Sequence, residues 1–228
     1  MKTSKTIVIT AAGIGSRLGF DMPKCLLELH GKPIIKWQLE MLKEYDDIRI
    51  VVGYKATDVI NTVLEVRNDI TFVFNHNYKT TNTLNSLYLG AKYGRNMILS
   101  LDGDLLVHPE DLQKFANRSE ECIGITTERT EEPVLVTTSV TIKPNTVKQP
   151  DSQVKNIWAE NFSRDNGNFE WTGLVLIKQN KIKNQNSYIY ELLEKYLPMK
   201  AILIRCCEID THNDYMKALK WVEKYLVV

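Results

Sequence analysis

Cysteine and histidine are scarce in this sequence, with four of each among 228 residues. The cysteines, Cys25, Cys122, Cys206 and Cys207, show no C-x-x-C spacing, and no histidine cluster accompanies them. A zinc site or a disulfide framework would need such groupings, so neither is indicated. We therefore expect reduced, structural thiols in a cytoplasmic protein.

Long apolar runs are missing as well. The first apolar segment, residues 6–12, is short, contains threonines and leads into a glycine loop rather than into a cleavage site. We therefore expect no signal peptide. No stretch approaches the length of a transmembrane helix, so we expect no membrane partner.

An excess of charge of either sign is also absent. The 29 lysines and arginines nearly balance the 28 aspartates and glutamates, which leaves a formal net charge of +1. This balance gives no electrostatic reason to expect nucleic acid or an acidic membrane as a partner. The length suits one domain with a sizeable core, and we expect a small ligand.

Short β-branched runs alternate with segments of helical period. This pattern predicts an α/β domain with a mixed, mostly parallel sheet flanked by helices. The predicted strands are 6–10, 48–53, 70–74, 97–101, 123–127, 134–142, 154–158, 171–177 and 201–209. The predicted helices are 33–42, 57–66, 82–93, 188–196 and 213–225. Several strands follow one another between residues 122 and 177, so we expect antiparallel pairs there and interpret residues 143–153 as a hairpin loop.

A glycine loop follows the first predicted strand, with the sequence Ala11-Ala12-Gly13-Ile14-Gly15-Ser16-Arg17-Leu18-Gly19. At the carboxyl end of such a strand, glycines let backbone N–H groups approach a phosphate chain. The loop is neither a P-loop, which needs Gly-Lys-Ser/Thr, nor a dinucleotide fingerprint, which needs a glycine where Leu18 stands. We predict nucleotide contacts for the following residues: Ala11, Ala12, Gly13, Gly15 and Ser16.

A second motif comes shortly after the loop, as Met22-Pro23-Lys24-Cys25-Leu26-Leu27-Glu28-Leu29. A glycine loop with an arginine, followed by Pro-Lys and a short strand, resembles the signature of sugar-phosphate and alcohol-phosphate nucleotidyltransferases. The resemblance implies a glycosyltransferase-A-like fold with a Rossmann-like nucleotide-binding half. Within a single domain spanning residues 1–228, that half would cover about residues 1–120, and an acceptor-binding half about residues 121–200.

Two cations in these motifs are candidate catalytic residues. Arg17 offers a planar fork of donors to the β- and γ-phosphates, and Lys24 a point charge near the α-phosphate. Both would neutralise charge as pyrophosphate leaves. Taken singly, Arg17 would read as a helix-surface residue and Lys24 as an exposed turn lysine. Pro23 fixes the backbone beside Lys24, which favours a directed side chain.

Carboxylates at the ends of two strands are candidate metal ligands. The predicted strand 97–101 ends in Asp102-Gly103-Asp104, and Mg²⁺ commonly takes one or two carboxylates plus phosphate oxygens. Carboxylates at i and i+2 share a face only in extended backbone, so we expect one of them on the metal and the other on a neighbouring N–H group or a ribose hydroxyl. The resemblance implies Asp104 as the ligand, with Asp102 in second place. It also implies Asp210, in Glu208-Ile209-Asp210, as the second ligand; the alternative for Asp210 is a helix N-cap, which Asn213 or Asp214 would supply equally well.

The base is expected near the segment that follows the third strand. This stretch, Asn75-His76-Asn77-Tyr78 followed by Thr81-Asn82-Thr83-Leu84-Asn85-Ser86-Leu87-Tyr88-Leu89, resembles bacterial CTP:phosphocholine cytidylyltransferases. Asn82 and Ser86, one helical turn apart, are candidate ligands of the base or of the acceptor. As alternatives, Asn82 would cap a helix and Ser86 would be a packing residue.

The acceptor is the least determined component. Trp158 and Trp171, with Glu160 and Glu170, would suit a quaternary ammonium group, although a strand pair on a core face explains the tryptophans equally well. Arg129 and Lys155 would instead suit a carboxylate, as the resembling phosphoglutamine cytidylyltransferases require. The predicted acceptor-binding residues are therefore Trp171 for an ammonium group, Arg129 for a carboxylate, and Thr172 and Gly173, where the chain would approach the acceptor phosphate closely.

The resemblance implies transfer of CMP from CTP to a small phosphorylated metabolite with Mg²⁺, phosphoglutamine or phosphocholine being the expected acceptors, in cell-surface polysaccharide decoration. Alternatives are a sugar-1-phosphate nucleotidyltransferase, a glycosyltransferase that uses Asp102-Gly103-Asp104 as its D-x-D motif, and an inert nucleotide-binding subunit. An exposed face on the closing helix is compatible with a homodimer.

Overall fold

A computed structural model of the chain describes residues 5–15, 19, 21–140 and 156–227. The strands are β1 Lys5–Ala11, β2 Glu28–Leu29, β3 Lys32–Pro33, β4 Ile48–Val52, β5 Thr71–Phe74, β6 Met97–Asp102, β7 Leu105–Val107, β8 Cys122–Thr126, β9 Leu135–Thr138, β10 Ile157–Ser163, β11 Phe169–Lys178, β12 Met199–Leu203 and β13 Cys206–Glu208. The α-helices are α1 Ile34–Met41, α2 Ala56–Leu64, α3 Thr83–Ala91, α4 Pro109–Ala116, α5 Ile189–Leu193 and α6 His212–Tyr225.

Nine of these strands form one sheet in the order β5-β4-β1-β6-β11-β8-β12-β10-β9. β1 lies between β4 and β6 and is parallel to both, and β4 is parallel to β5. Ile7, Val8 and Ile9 in β1 are fully buried, as expected for a continuous apolar run in a strand covered on both faces. The parallel order brings the carboxyl ends of β1, β4 and β6 to one edge of the sheet.

Antiparallel pairs enter the sheet with β11, which separates β6 from β8. Because β11 is antiparallel to both neighbours, β8 runs in the same direction as β6 and β1, and β12 is parallel to β8. The register of β11 on β8 shifts between Trp171 and Val175, where Gly173 has a φ of +77°. This irregularity lies next to the carboxyl end of β6 and shapes the site described below.

Helices cover both faces of the sheet. On one face the core includes apolar residues of α1, α2 and α4, and on the other it includes residues of α3 and α5. A smaller cluster joins α6 to the β2–β3 hairpin through residues such as Leu29, Ala218 and Val222. The prediction of a mixed sheet flanked by helices is confirmed, whereas parallel pairing is confined to the first half and the β8–β12 pair. None of the helices in the described ranges has the length and apolarity needed to cross a bilayer.

Two local predictions need correction. The strand predicted over 201–209 is two strands, because Arg205 leaves the sheet and its side chain hydrogen-bonds to Asp111. After this break β13 pairs with β7 rather than with the large sheet. Helix α4 was not predicted, although Pro109 at its first turn, followed by two acidic residues, is a regular start signal. The predicted loop 143–153 lies outside the described residues.

Candidate functional site

The glycine loop begins where β1 ends and leads towards Lys24. Gly15 has a φ of +68°, and a Cβ atom there would lie 2.8 Å from Cγ of Lys24. The absent side chain therefore leaves room for the lysine stem to pass. Ser16 and Arg17, which the sequence places in this loop, lie outside the described residues.

Lys24 directs its ammonium group at two of the predicted metal ligands. It opens a short 3-10 helix, Lys24–Leu26, after Pro23, whose φ of −58° fixes the approach of the chain. Its Nζ donates to Oδ2 of Asp104 at 2.8 Å and also to Oδ1 of Asp210. Burial would lower the pKa of Lys24, but the charges of Asp104 and Asp210 outweigh it and raise this pKa above the usual value.

Glu208 adds a third carboxylate that was not predicted from the sequence. Oxygen atoms of Asp104, Glu208 and Asp210 all lie within 4.8 Å of one another. Burial, followed by the charges of Asp104 and Asp210, raises the pKa of Glu208 well above its usual value. We refer to these three residues as the acid cluster. Three carboxylates facing one ammonium group form an oxygen donor set that suits a hard divalent cation, so the site fits Mg²⁺.

Asp102 lies at the end of β6 beside the acid cluster. Its Oδ1 accepts a hydrogen bond of 2.5 Å from Oγ1 of Thr10, its neighbour across the β1–β6 pair. Burial, and then the charge of Asp104, raise the pKa of Asp102 to about 7. A Cβ atom on Gly173 would lie 2.5 Å from Oδ2 of Asp102, so this glycine leaves space for the carboxylate. The close approach that the structure shows at Gly173 is to Asp102, whereas the predicted one was to the acceptor phosphate.

A cavity of about 360 Å³ opens at this edge of the sheet. It extends from the glycine loop and the acid cluster to the start of α3, and Tyr78 and Tyr188 are among its lining residues. The predicted site residues that line it are Ala11, Ala12, Gly13, Gly15, Lys24, Asn82, Ser86, Asp102, Asp104 and Asp210. The fold thus brings predicted site residues from five separate segments of the sequence together around one cavity.

Two predicted residues, Asn82 and Ser86, line the cavity from the start of α3. Asn82 occupies the N-cap position of α3, but its side chain makes no capping hydrogen bond. Ser86 is buried, and its Oγ accepts a hydrogen bond of 3.1 Å from Nδ2 of Asn75. Asn75 is also buried and lines the cavity, although the sequence did not single it out as a ligand.

None of the four predicted acceptor residues is among those that line this cavity. Arg129 donates to the carbonyl oxygens of Gly167 and Phe169, and it lines a separate cavity of about 280 Å³ together with Thr172. Oγ1 of Thr172 donates to the carbonyl oxygen of Gly124. Trp171 is buried in the core face that also contains α3 and α5. Trp171 occupies the same face of β11 as Val175 and Ile177, which agrees with the alternative of a strand on a core face. Lys155 lies outside the described residues.

Comparisons with known proteins agree with this fold. The curated relatives include the choline-phosphate cytidylyltransferase of Streptococcus pneumoniae, 39% identical over 87 residues, which are 36% of this chain and 37% of the relative. The CTP:phosphoglutamine cytidylyltransferase of Campylobacter jejuni is 31% identical over 126 residues, which are 50% of this chain and 49% of the relative. The chain therefore matches about half or less of the length of these relatives.

Solved structures extend the likeness over nearly the whole chain. The inositol-1-phosphate CTP transferase from T. maritima superimposes with a TM-score of 0.74, at 19% identity, over 99% of this chain and 97% of that one. At this identity the likeness shows the fold alone. The family model of the MobA-like NTP transferase domain matches residues 7–156, which include the glycine loop, Lys24 and Asp104. The resemblance found in the sequence is thereby confirmed, and the chain belongs to the MobA-like NTP transferase family.

Proposed function

We propose that this protein is a cytidylyltransferase, which transfers CMP from CTP to a small phosphorylated metabolite and releases pyrophosphate. The observation that carries the proposal is the position of the Lys24 ammonium group. It lies within the acid cluster, directly beside a glycine loop that can hold phosphates, and in the same cavity as Asn82 and Ser86. A nucleoside triphosphate laid along this cavity would have its phosphates at Lys24 and its base near α3.

In the proposed reaction an oxygen of the acceptor phosphate attacks the α-phosphorus of CTP. The bond from the α-phosphorus to the bridging oxygen breaks, and pyrophosphate carries away the electron pair. The acceptor needs no base, because a phosphate monoester with a second pKa of about 6 is already dianionic at neutral pH. Catalysis then rests on alignment and on neutralising charge, which we assign to Lys24 and Arg17.

The acid cluster would hold Mg²⁺ when the nucleotide is bound. We assign Asp104 and Asp210 as the ligands and add Glu208, whose carboxylate lies in the same group. A bound Mg²⁺ supplies Lewis-acid stabilisation of charge on phosphate oxygens. Thr10 donates to Asp102, and Gly173 leaves room for its carboxylate. We assign Asp102 to a ribose hydroxyl group or to a neighbouring N–H group rather than to the metal.

Two relatives support cytidine and the acceptor class. One is named as a choline-phosphate cytidylyltransferase, with 39% identity in the matched part, and the other as a CTP:phosphoglutamine cytidylyltransferase, with 31% identity. We propose phosphoglutamine or phosphocholine as the acceptor and a role in cell-surface polysaccharide decoration. A sugar-1-phosphate nucleotidyltransferase is the second candidate, because UDP-glucose pyrophosphorylase has the same fold with a TM-score of 0.76.

Pyrophosphate release tests this proposal. The protein is incubated with Mg²⁺ and each of four nucleoside triphosphates, against phosphoglutamine, phosphocholine, aminoethylphosphonate and sugar 1-phosphates. We expect release with CTP and one acceptor, and no release with the matched dephosphorylated compound, because the phosphate is the nucleophile. Turnover of a finished nucleotide sugar would instead indicate a glycosyltransferase. Tight binding of CTP without turnover across the panel would contradict the assigned reaction.

A further inference from the structure

Asn75 connects the end of β5 to helix α3 through a buried hydrogen-bond network. Its side-chain Nδ2 donates to Oγ1 of Thr81 at 3.0 Å and to Oγ of Ser86 at 3.1 Å. Its Oδ1 accepts from the backbone N–H of Asn77 at 3.0 Å. Asn75 is 2% exposed, and Thr81 and Ser86 line the nucleotide cavity. A side-chain amide therefore controls two hydroxyl groups that face the ligand site.

The direction of these hydrogen bonds is fixed by the protein backbone. A backbone N–H can only donate, so the atom of Asn75 that faces Asn77 must be the oxygen. The remaining atom is the NH₂ group, whose two hydrogens are directed at the two hydroxyl oxygens. Both hydroxyl groups therefore accept from Asn75, and each must direct its own proton elsewhere.

The two protons have different destinations. Thr81 donates its proton to the carbonyl oxygen of Asn77 at 3.0 Å, so this hydroxyl is fully used within the protein. For Ser86, the structure gives no acceptor among the described residues, and its side chain lines the cavity. The Ser86 hydroxyl thus offers a hydrogen-bond donor to whatever occupies the cavity.

We propose that Asn75 is a specificity-determining residue that acts through Ser86, an inference that rests on the proposed binding of CTP. One of the two lone pairs of Ser86 accepts from Asn75, and its proton is available to the edge of a pyrimidine. We assign this donor to N3, which accepts in cytosine but carries a hydrogen in uracil; O2 accepts in both bases and would not distinguish them. Asn75 is a positioning residue in this scheme, because it contacts Ser86 and not the reacting atoms.

The variant Asn75→Asp tests the proposal with little change in shape. Its carboxylate still accepts from the N–H of Asn77 but cannot donate to Ser86, so the Ser86 hydroxyl turns to donate to it. Lone pairs of Ser86 then face the cavity. The added charge weakens both nucleotides alike, whereas the ratio of kcat/KM for CTP to that for UTP should fall by about tenfold, the value of one hydrogen bond.

Two further variants separate positioning from a general structural effect. Ser86→Ala should lower the same ratio, and the double variant should lower it no more than either single one, because Asn75 acts through Ser86. In Thr81→Val the ratio should stay unchanged even if overall activity falls, since the Thr81 proton is used within the protein. A changed ratio in Thr81→Val, or additive effects in the double variant, would overturn the proposal.

Binding measurements keep the test independent of turnover and of folding. Calorimetry with CTP and with UTP gives the ratio of the two dissociation constants. We expect the preference for CTP in this ratio to be lost in both Asn75→Asp and Ser86→Ala. If Asn75→Asp does not fold, Ser86→Ala decides, because an unchanged ratio there overturns the inference. If the wild-type protein binds CTP in preference to UTP but transfers no CMP, the proposed reaction fails while the role of Asn75 stands.

Discussion

Replacing Lys24 by methionine removes one ammonium group from the acid cluster while keeping the length of the side chain. The Lys24 side chain is 14% exposed, and those of Asp104 and Asp210 are 16% and 9% exposed. Removing one partner from a buried ion pair typically costs about 3–5 kcal/mol. Since these groups retain some exposure, we expect the free energy of unfolding without metal to fall by about 3 kcal/mol.

The loss in stability has a measurable thermal counterpart. For a chain of this size, about 3 kcal/mol corresponds to a fall in unfolding temperature of roughly 6–12 °C. Mg²⁺ should restore much of this loss in Lys24→Met, because the ion supplies the positive charge that the acid cluster now lacks. The wild-type protein should gain less from Mg²⁺ in the absence of nucleotide, because its ammonium group competes with the ion.

Turnover should respond differently from stability. Lys24 is assigned to charge that develops on the phosphates, and losing one such group typically costs about 10²–10³ in rate. Mg²⁺ should therefore restore the stability of Lys24→Met without restoring its turnover. The assay combines thermal unfolding, with and without Mg²⁺, with pyrophosphate release.

A surface ion pair provides the control for this experiment. Lys36 pairs with Glu65, whose side chain is 64% exposed, and Lys36→Met should change stability by less than about 1 kcal/mol at either Mg²⁺ concentration. The reasoning would be refuted if Mg²⁺ raised the unfolding temperatures of wild type and Lys24→Met equally. It would also be refuted if Lys24→Met kept its turnover.

Two further predictions concern the support of the site and the β12–β13 break. Gly173→Ala should lower both stability and turnover, because the new Cβ would lie 2.5 Å from Oδ2 of Asp102. The control is Gly31→Ala, at a φ of +74° with no atom within 4 Å of the new Cβ, which should lower stability by backbone strain alone. Equal losses of turnover in the two variants would contradict this account. Burial would raise the pKa of Asp111, but hydrogen bonds from Arg205 outweigh it and hold the pKa below its usual value. The Arg205–Asp111 pair therefore stabilises the fold fully above about pH 4, and this contribution is lost as the pH falls through the lowered pKa. Asp111→Asn should reduce the free energy of unfolding by about 2 kcal/mol at pH 7 and by progressively less in acid, as measured by denaturant unfolding.

Local signals explain what could be predicted from the sequence. The apolar run of β1, the glycine loop and the Pro23-Lys24 pair are contiguous, and the strand–loop order fixes which edge of the sheet they occupy. Asp104 and Asp210 follow strand ends, and the resemblance singled them out among the acids there. Asp104 is 80 positions and Asp210 186 positions away from Lys24 in the sequence, and the topology of the sheet brings the three residues together.

Other parts of the site depend on features that no short window of sequence contains. Glu208 joins the acid cluster because β13 leaves the large sheet and pairs with β7, a change that depends on the Arg205–Asp111 pair. Trp171 packs in a core face with residues of α3 and α5, which lie far from it in the sequence. Asn75 lies in the stretch that the resemblance associates with the base, but its role comes from the direction of its hydrogen bonds, which the sequence does not show.

The fate of the α-phosphorus tests the central claim most directly. The protein, Mg²⁺ and the active acceptor are supplied with CTP labelled at the α-phosphate or, in a parallel reaction, at the γ-phosphate. Nucleotidyl transfer predicts that the α-label enters a new product joined to the acceptor phosphate, while the γ-label leaves in pyrophosphate. Recovery of the α-label in free CMP or CDP, with an unmodified acceptor, would contradict the account.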